Sequence, residues 1–96
     1  MKNAYFFSNI QIKEMKQAIG WDATSITGTK YRRFVATKNA YFTKTDHAYW
    51  NKLCDQSLAE KSKRSDSDGF IYKLSVEGIY LLEELTDVKI EFSFNT

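Results

Sequence analysis

The stretch from Leu53 to Leu85 constrains this chain more than any other. It reads in order as the end of a helix, a two-stranded hairpin and a closing helix. The markers are Leu53, Leu58-Ala59, a polar tip over Arg64-Ser65-Asp66-Ser67-Asp68-Gly69, the run Tyr72-Lys73-Leu74-Ser75, and Gly78 with Leu81, Leu82 and Leu85 behind it. Asp-Gly at the end of the tip is a turn signal. Alternation sets Phe70, Tyr72 and Leu74 toward a core and Ile71 and Lys73 away from it. The pattern predicts a hairpin over 58–74 and a helix over 75–85, with Ser75 as N-cap and Glu77 at the positive end of the helix dipole.

Outside that stretch, Ser8-Asn9-Ile10-Gln11 has the spacing of a capping box. Ile12, Met15, Ala18 and Ile19 follow at helical spacing, and Gly20 suits the position just past a helix end. A helix over 9–19 is predicted, with Trp21 folding back onto the same core. Asp22–Lys30 is rich in Thr, Ser and Gly and reads as a loop with room for a short helical turn. Asp46 is placed to cap a helix over 46–56. Its buried side carries Ala48 or Tyr49, Leu53 and Leu58, with Trp50, Leu53 and Cys54 at i, i+3, i+4 spacing.

Residues 30–43 leave two readings open. Tyr31, Phe34, Val35, Tyr41 and Phe42 suit a hairpin turning at Thr37-Lys38-Asn39, whereas Lys30–Ala36 suits a helix. At the far end Val88, Ile90, Phe92 and Phe94 alternate strictly with Lys89, Glu91 and Ser93, which predicts a strand over 88–94. It needs a neighbour, either Ala4–Phe7 or the same strand of a second copy. Lys-Asn-Ala-Tyr-Phe occurs at both 2–6 and 38–42, but the likeness stops there and marks no structural repeat.

Ninety-six residues suffice for one domain over 1–96. Apolar residues at 43% and aromatics at 16% supply a core, so disorder is not expected. Cys54 is alone and forms no internal disulfide. The apolar run Ala4–Phe7 falls short of the roughly seven to fifteen residues of a signal-peptide core. Nothing approaches the ~18 apolar residues of a membrane span. A reduced, cytoplasmic protein with no membrane partner is expected.

Net charge is +2, unevenly spread. Residues 1–44 hold eight Lys and Arg against Glu14 and Asp22, while residues 45–96 hold six against ten acids. From Ala23 to Thr45 there is no acid, and Lys30, Arg32, Arg33, Lys38 and Lys44 fall there among Tyr31, Phe34, Tyr41 and Phe42. Cations beside aromatic rings offer phosphate contacts next to stacking surfaces. Lys61, Lys63 and Arg64 add a basic flank on the hairpin. The candidate contact residues for nucleic acid or a protein partner are therefore Lys30, Tyr31, Arg32, Arg33, Lys38, Tyr41, Lys44, Lys61, Lys63 and Arg64.

The helix over 46–56 is a poor reader of DNA, since Asp46 and Asp55 outweigh Lys52. A basic-aromatic half facing an acidic half equally suits docking to a protein or head-to-tail self-association. Little points to catalysis. His47 is the one histidine and is expected in a first helical turn, and the four glycines never cluster into a phosphate loop. Glu83 and Glu84 are adjacent and point to different sides of a helix. No enzymatic activity, metal or cofactor is expected.

One series of short motifs runs along the chain: Met15-Lys16-Gln17-Ala18-Ile19-Gly20, then Tyr31-Arg32-Arg33-Phe34 or Asn39-Ala40-Tyr41-Phe42, then Trp50-Asn51-Lys52-Leu53 with Ser57-Leu58-Ala59, and finally Tyr72-Lys73-Leu74-Ser75-Val76-Glu77-Gly78. Over about residues 12–90 this series resembles small, uncharacterised proteins encoded by bacteriophages and prophages, chiefly of low-GC Gram-positive bacteria. Ser57 stands where those proteins have glycine and Ser75 where they have threonine. The resemblance implies a phage origin and a place in the cytoplasm of a bacterial host, and it brings no ligand with it. The expected fold is an α+β, winged-helix-like domain of three helices and a wing hairpin, with an extra C-terminal strand that would serve a homodimer. The leading expectation is an accessory protein that binds nucleic acid, DNA among the candidates, or a nucleoprotein complex. The alternatives are a module or inhibitor directed at a host protein, and a virion assembly factor.

Overall fold

The computed structural model of the chain describes residues 9–65 and 68–93. In chain order its elements are α1 (Asn9–Ala18), a short 3-10 turn (Ala23–Ser25), β1 (Arg33–Ala36), β2 (Tyr41–Thr43), α2 (Ala48–Asp55), β3 (Ala59–Lys63), β4 (Phe70–Leu74), α3 (Val76–Thr86) and β5 (Lys89–Phe92). The described residues thus form an α+β domain of three α-helices and two sheets.

Two helices end by one device. At α1 the Trp21 amide donates to the Lys16 carbonyl (2.9 Å) and the Gly20 amide to the Gln17 carbonyl (3.1 Å), with Gly20 left-handed at φ 68°. At α2 the Leu58 amide donates to Leu53 and the Ser57 amide to Cys54, both at 2.9 Å, with Ser57 at φ 63°. Such paired bonds satisfy carbonyls that a helix end leaves open. Ser75 begins α3 as the sequence predicts. Its hydroxyl accepts from the Gly78 amide (3.1 Å) and donates to the Ser57 carbonyl (2.8 Å), so one side chain caps α3 and pins it to the end of α2.

Asp46 does not cap α2. The N-cap is His47, whose side chain makes no capping bond. Its backbone amide donates to the Tyr72 hydroxyl at 3.3 Å. Asp46 accepts instead from the Lys61 ammonium, a charge-assisted bond stronger than one to a neutral amide.

Residues 30–43 form neither the hairpin nor the helix. Both β1 and β2 exist, but in different sheets. β1 lies parallel to β5 with Phe34 opposite Ile90. β2 is antiparallel to β4 with Tyr41 opposite Tyr72, and β3 flanks β4 on its other side, giving the order β2-β4-β3. Asn39 accounts for the separation. Its carboxamide donates to the Leu74 carbonyl (3.0 Å) and accepts from the Leu74 amide (2.9 Å), which continues the β2–β4 ladder with a side chain. The Ala40 amide meanwhile donates to the Ala18 carbonyl at the end of α1 (2.9 Å). The turn residues are thus tied to α1 and β4 rather than folded back onto β1. Among the described residues the strand beside β5 is β1, which strand alternation alone does not reveal. Ala4–Phe7, Ser8 of the capping box, Asp66 and Ser67 of the tip, and Phe94 lie outside the described residues.

The core takes Met15, Ala18 and Ile19 from the end of α1, Phe34 and Ala36 from β1, Leu53 from α2, Leu74 from β4, Leu81 and Leu82 from α3, and Val88 and Ile90 around β5. At one side Trp50 is fully buried with the Tyr41 and Tyr72 rings stacked at 5.6 Å each. Pairs of this kind add about 0.5–1.5 kcal/mol beyond the area they bury. Trp21 packs on Phe34 with ring centroids 5.2 Å apart. Ala48, Tyr49 and Leu85, expected on buried faces, are exposed, and Trp50 with Leu53 forms the buried side of α2. No helix among the described residues is long and apolar enough to cross a membrane.

Candidate functional site

The basic and aromatic candidates are divided between the two sheets. Lys30, Tyr31 and Arg32 stand on a loop closed at its base by paired Thr27–Arg33 backbone bonds, both 2.9 Å, and turned by Gly28 at φ 90°. Tyr31 is 77% exposed, with the Lys30 ammonium 5.7 Å from its ring centroid. Together with Glu83, Asp87, Val88 and Lys89 this loop lines a hollow of about 260 Å³. Arg33 pairs with Glu91 on the neighbouring strand at 2.5 Å. The Lys38 side chain runs past Gly20, where a cation suits the negative end of the α1 dipole.

Tyr41 is turned inward. It is half-buried against Trp50 and meets the His47 ring edge-on at 5.3 Å. Burial, and then the Glu14 carboxylate, raise its phenol above the ordinary tyrosine value. Trp50 and His47 thus cover part of its ring.

Lys44, Lys61, Lys63 and Arg64 belong to the three-stranded sheet, at its hairpin end. Lys61 works within the fold, since it pairs with Asp46 and its ammonium lies 4.2 Å from the Phe70 centroid and 5.7 Å from that of Tyr72. The bond to Asp46 is the main reason its ammonium is held above the ordinary lysine value. Alternation along the strands puts Tyr41, Lys61, Lys63, Phe70 and Tyr72 on the face toward α2. Their neighbours Phe42, Ile71 and Ser62 form a row across the opposite, outer face.

In that row Phe42 is 58% exposed. Arg64, just past β3, sets its guanidinium carbon 5.4 Å from the Phe42 ring centroid. Lys44 follows β2 directly, with its backbone against Gly69. Further along the outer face Lys73 and Glu60 pair at 3.8 Å. Phe42 is the residue that the sequence-derived candidates omit. Adjacent strand residues must face opposite ways, but which of Tyr41 and Phe42 turns outward depends on the pairing of Tyr41 with Tyr72.

A separate polar group lies between α1 and the start of α2. Glu14 Oε2 is 3.9 Å from His47 Nε2. Glu14 Oε1, His47 Nδ1 and Trp50 Nε1 are buried with no hydrogen-bond partner among the described residues. Cys54 is half-buried on α2, and that burial pushes its thiol up, away from the thiolate a nucleophile needs. Among the described residues no three His, Cys, Asp or Glu side chains gather as metal ligands would. Compared with protein-family models, with curated proteins and with solved structures, the chain matches none of them.

Proposed function

We propose that this chain is a binding module rather than an enzyme, and that it takes nucleic acid at the hairpin end of its three-stranded sheet. The carrying observation is the cluster of exposed Phe42 beside the Arg64 guanidinium, with Lys44 at the end of the same strand. Cations there supply the sequence-independent attraction to phosphate, and the ring supplies an apolar surface for a base. The run of α2 into the β3–β4 hairpin, with β2 on the far side of β4, supports a winged-helix-like reading in which the hairpin is the wing. Where that fold has a middle helix, this chain has only the 3-10 turn and β1. Asp46 and Asp55 disfavour α2 as a groove reader, which leaves the sheet as the contact. With the motif resemblance of the sequence added, the reading is of a small accessory protein of phage type, acting in a bacterial cytoplasm on nucleic acid or a nucleoprotein complex.

Fluorescence anisotropy with labelled random-sequence single-stranded and duplex DNA across a salt series tests the proposal. Binding whose log affinity falls linearly with log salt is expected. Combined Lys44→Ala and Arg64→Ala should flatten the slope by roughly 0.7–0.9 for each phosphate that the variant no longer neutralises. Absence of binding even at low salt overturns the reading.

A protein partner is the second reading, favoured by the Lys30–Arg32 loop. Tyr31 stands exposed there beside a hollow that mixes Arg32 and Lys89 with Glu83 and Asp87. Two acids among the three cations of that hollow weaken its pull on a polyanion, while mixed charge around an exposed tyrosine suits a protein interface. A host-directed inhibitor or a virion assembly factor would use this end. Tyr31→Ala would then weaken capture of the partner and leave DNA affinity unchanged.

A further inference from the structure

We infer that the nucleic acid taken by the outer sheet face is single-stranded, with one base stacked on Phe42. This rests on the nucleic-acid reading above and names its substrate class. Phe42 stands in a row with Ile71, which is half-buried, and Ser62, which is short, so its ring stands above its neighbours in the row. Arg64 lies over that ring, a planar cation that a base can join in one stack and that can meet a phosphate at once. A duplex keeps its base faces covered by their neighbours and shows only edges in its grooves. A ring on a sheet face meets base edges at most in a groove and finds no base face there, so a duplex would gain mainly phosphate contacts. An unpaired base has a free π-face, and aromatic platforms of this type hold single strands without regard to sequence.

The acids around the row point the same way. Glu60 lies on the outer face on the side of the row away from the hairpin tip, and Asp68 stands exposed at the tip itself. Glu60 is paired there with Lys73, but a stiff duplex laid along the face would bring a phosphate against the Asp68 carboxylate. A flexible single strand can cross the row between the two acids, passing Lys44 and Arg64.

The test compares a short oligothymidylate, the matching oligouridylate and a duplex of equal length across one salt series that starts at low salt, using the wild type, Phe42→Ala and Phe42→Trp. The single strands should bind about ten-fold or more tightly than the duplex. Phe42→Ala should cost about ten-fold in single-strand affinity, since a stacked base is worth roughly that much or more. It should leave the salt slope unchanged, because the ring carries no charge. Phe42→Trp should keep the affinity, and its indole emission should be quenched by the single strands and not by the duplex. Tyr80→Ala, which removes an exposed aromatic from α3, should change nothing. Equal affinity for the duplex, or a Phe42→Ala variant that binds like the wild type, overturns the single-strand inference while salt-dependent binding keeps the broader reading. Failure of every probe to bind at low salt overturns both. The exposure of Phe42 keeps these variants folded, which unchanged far-UV circular dichroism would verify.

Discussion

Ser57 and Gly78 lie on either side of the hairpin and invite opposite substitutions. Ser57 holds a left-handed backbone at φ 63° to close α2, a conformation that costs an L side chain about 1 kcal/mol. Ser57→Gly should raise stability by about 0.5–1 kcal/mol in urea unfolding, the freedom of glycine in the unfolded chain offsetting part of the gain. Gly78 sits in the first turn of α3, where Ala would ordinarily stabilise a helix. Here a Cβ would run into the Leu58 carbonyl oxygen, so Gly78→Ala should cost about 2–3 kcal/mol in the same measurement. Asp22 gives a residue-scale dependence on pH. Its carboxylate accepts from the Thr24 hydroxyl (2.7 Å), the Thr24 amide (3.0 Å) and the Ser25 hydroxyl (3.1 Å). These bonds, the Thr24 hydroxyl first, hold its pKa below the ordinary aspartate value. A lowered pKa means that the stability of the turn is present above the ordinary value and is lost as pH falls through the lowered one. The Thr24 amide resonance, followed by NMR on acidification, should move with a midpoint below that of an unstructured aspartate.

At the scale of elements, the ladder between β2 and β4 depends on a side chain. Asn39→Ala removes both partners of Leu74 and leaves a backbone donor and acceptor unpaired beside a buried residue. It should cost on the order of 2–3 kcal/mol and speed hydrogen exchange at the Leu74 amide, with α1 protection retained. The elements that depend on local chemistry were legible in the sequence: Gly20 closing α1, Ser75 opening α3, the hairpin around Asp68-Gly69, and the alternation of Val88, Ile90 and Phe92. The capping of α2 was not legible, because the Tyr72 hydroxyl and the Lys61–Asp46 pair that replace an Asp46 cap arrive from strands distant in sequence. Strand chemistry in Tyr31–Thr43 was also readable, whereas the separation of its strands into two sheets was not. A carboxamide standing in for a backbone pair leaves no pattern in the residues around it.

For the molecule as a whole, the parallel pairing of β1 with β5 joins the middle of the chain to its end, through residues such as Arg33 and Glu91 that are 58 apart in sequence. β1 takes one edge of β5, and on the other the Ile90 amide donates to the Glu83 carboxylate (2.7 Å), so sedimentation should give a monomer mass that does not change with concentration. A mass that rises with concentration would return the 88–94 strand to consideration as a dimer contact. The uneven charge of the sequence becomes two separate basic regions, one on the 28–32 loop and one at the hairpin end. A stack on Phe42 and a protein contact at Tyr31 can therefore be tested independently.

The sequence by itself determined the three helices, two of their ends, the hairpin and the last strand, because helical and strand periods and capping act over a few residues. Only the tertiary structure decided which strands lie side by side and that Tyr41 turns inward while Phe42 faces solvent. Both outcomes rest on packing between distant segments, where burying Trp50 against Tyr41 and Tyr72 sets the facing of every residue along β2.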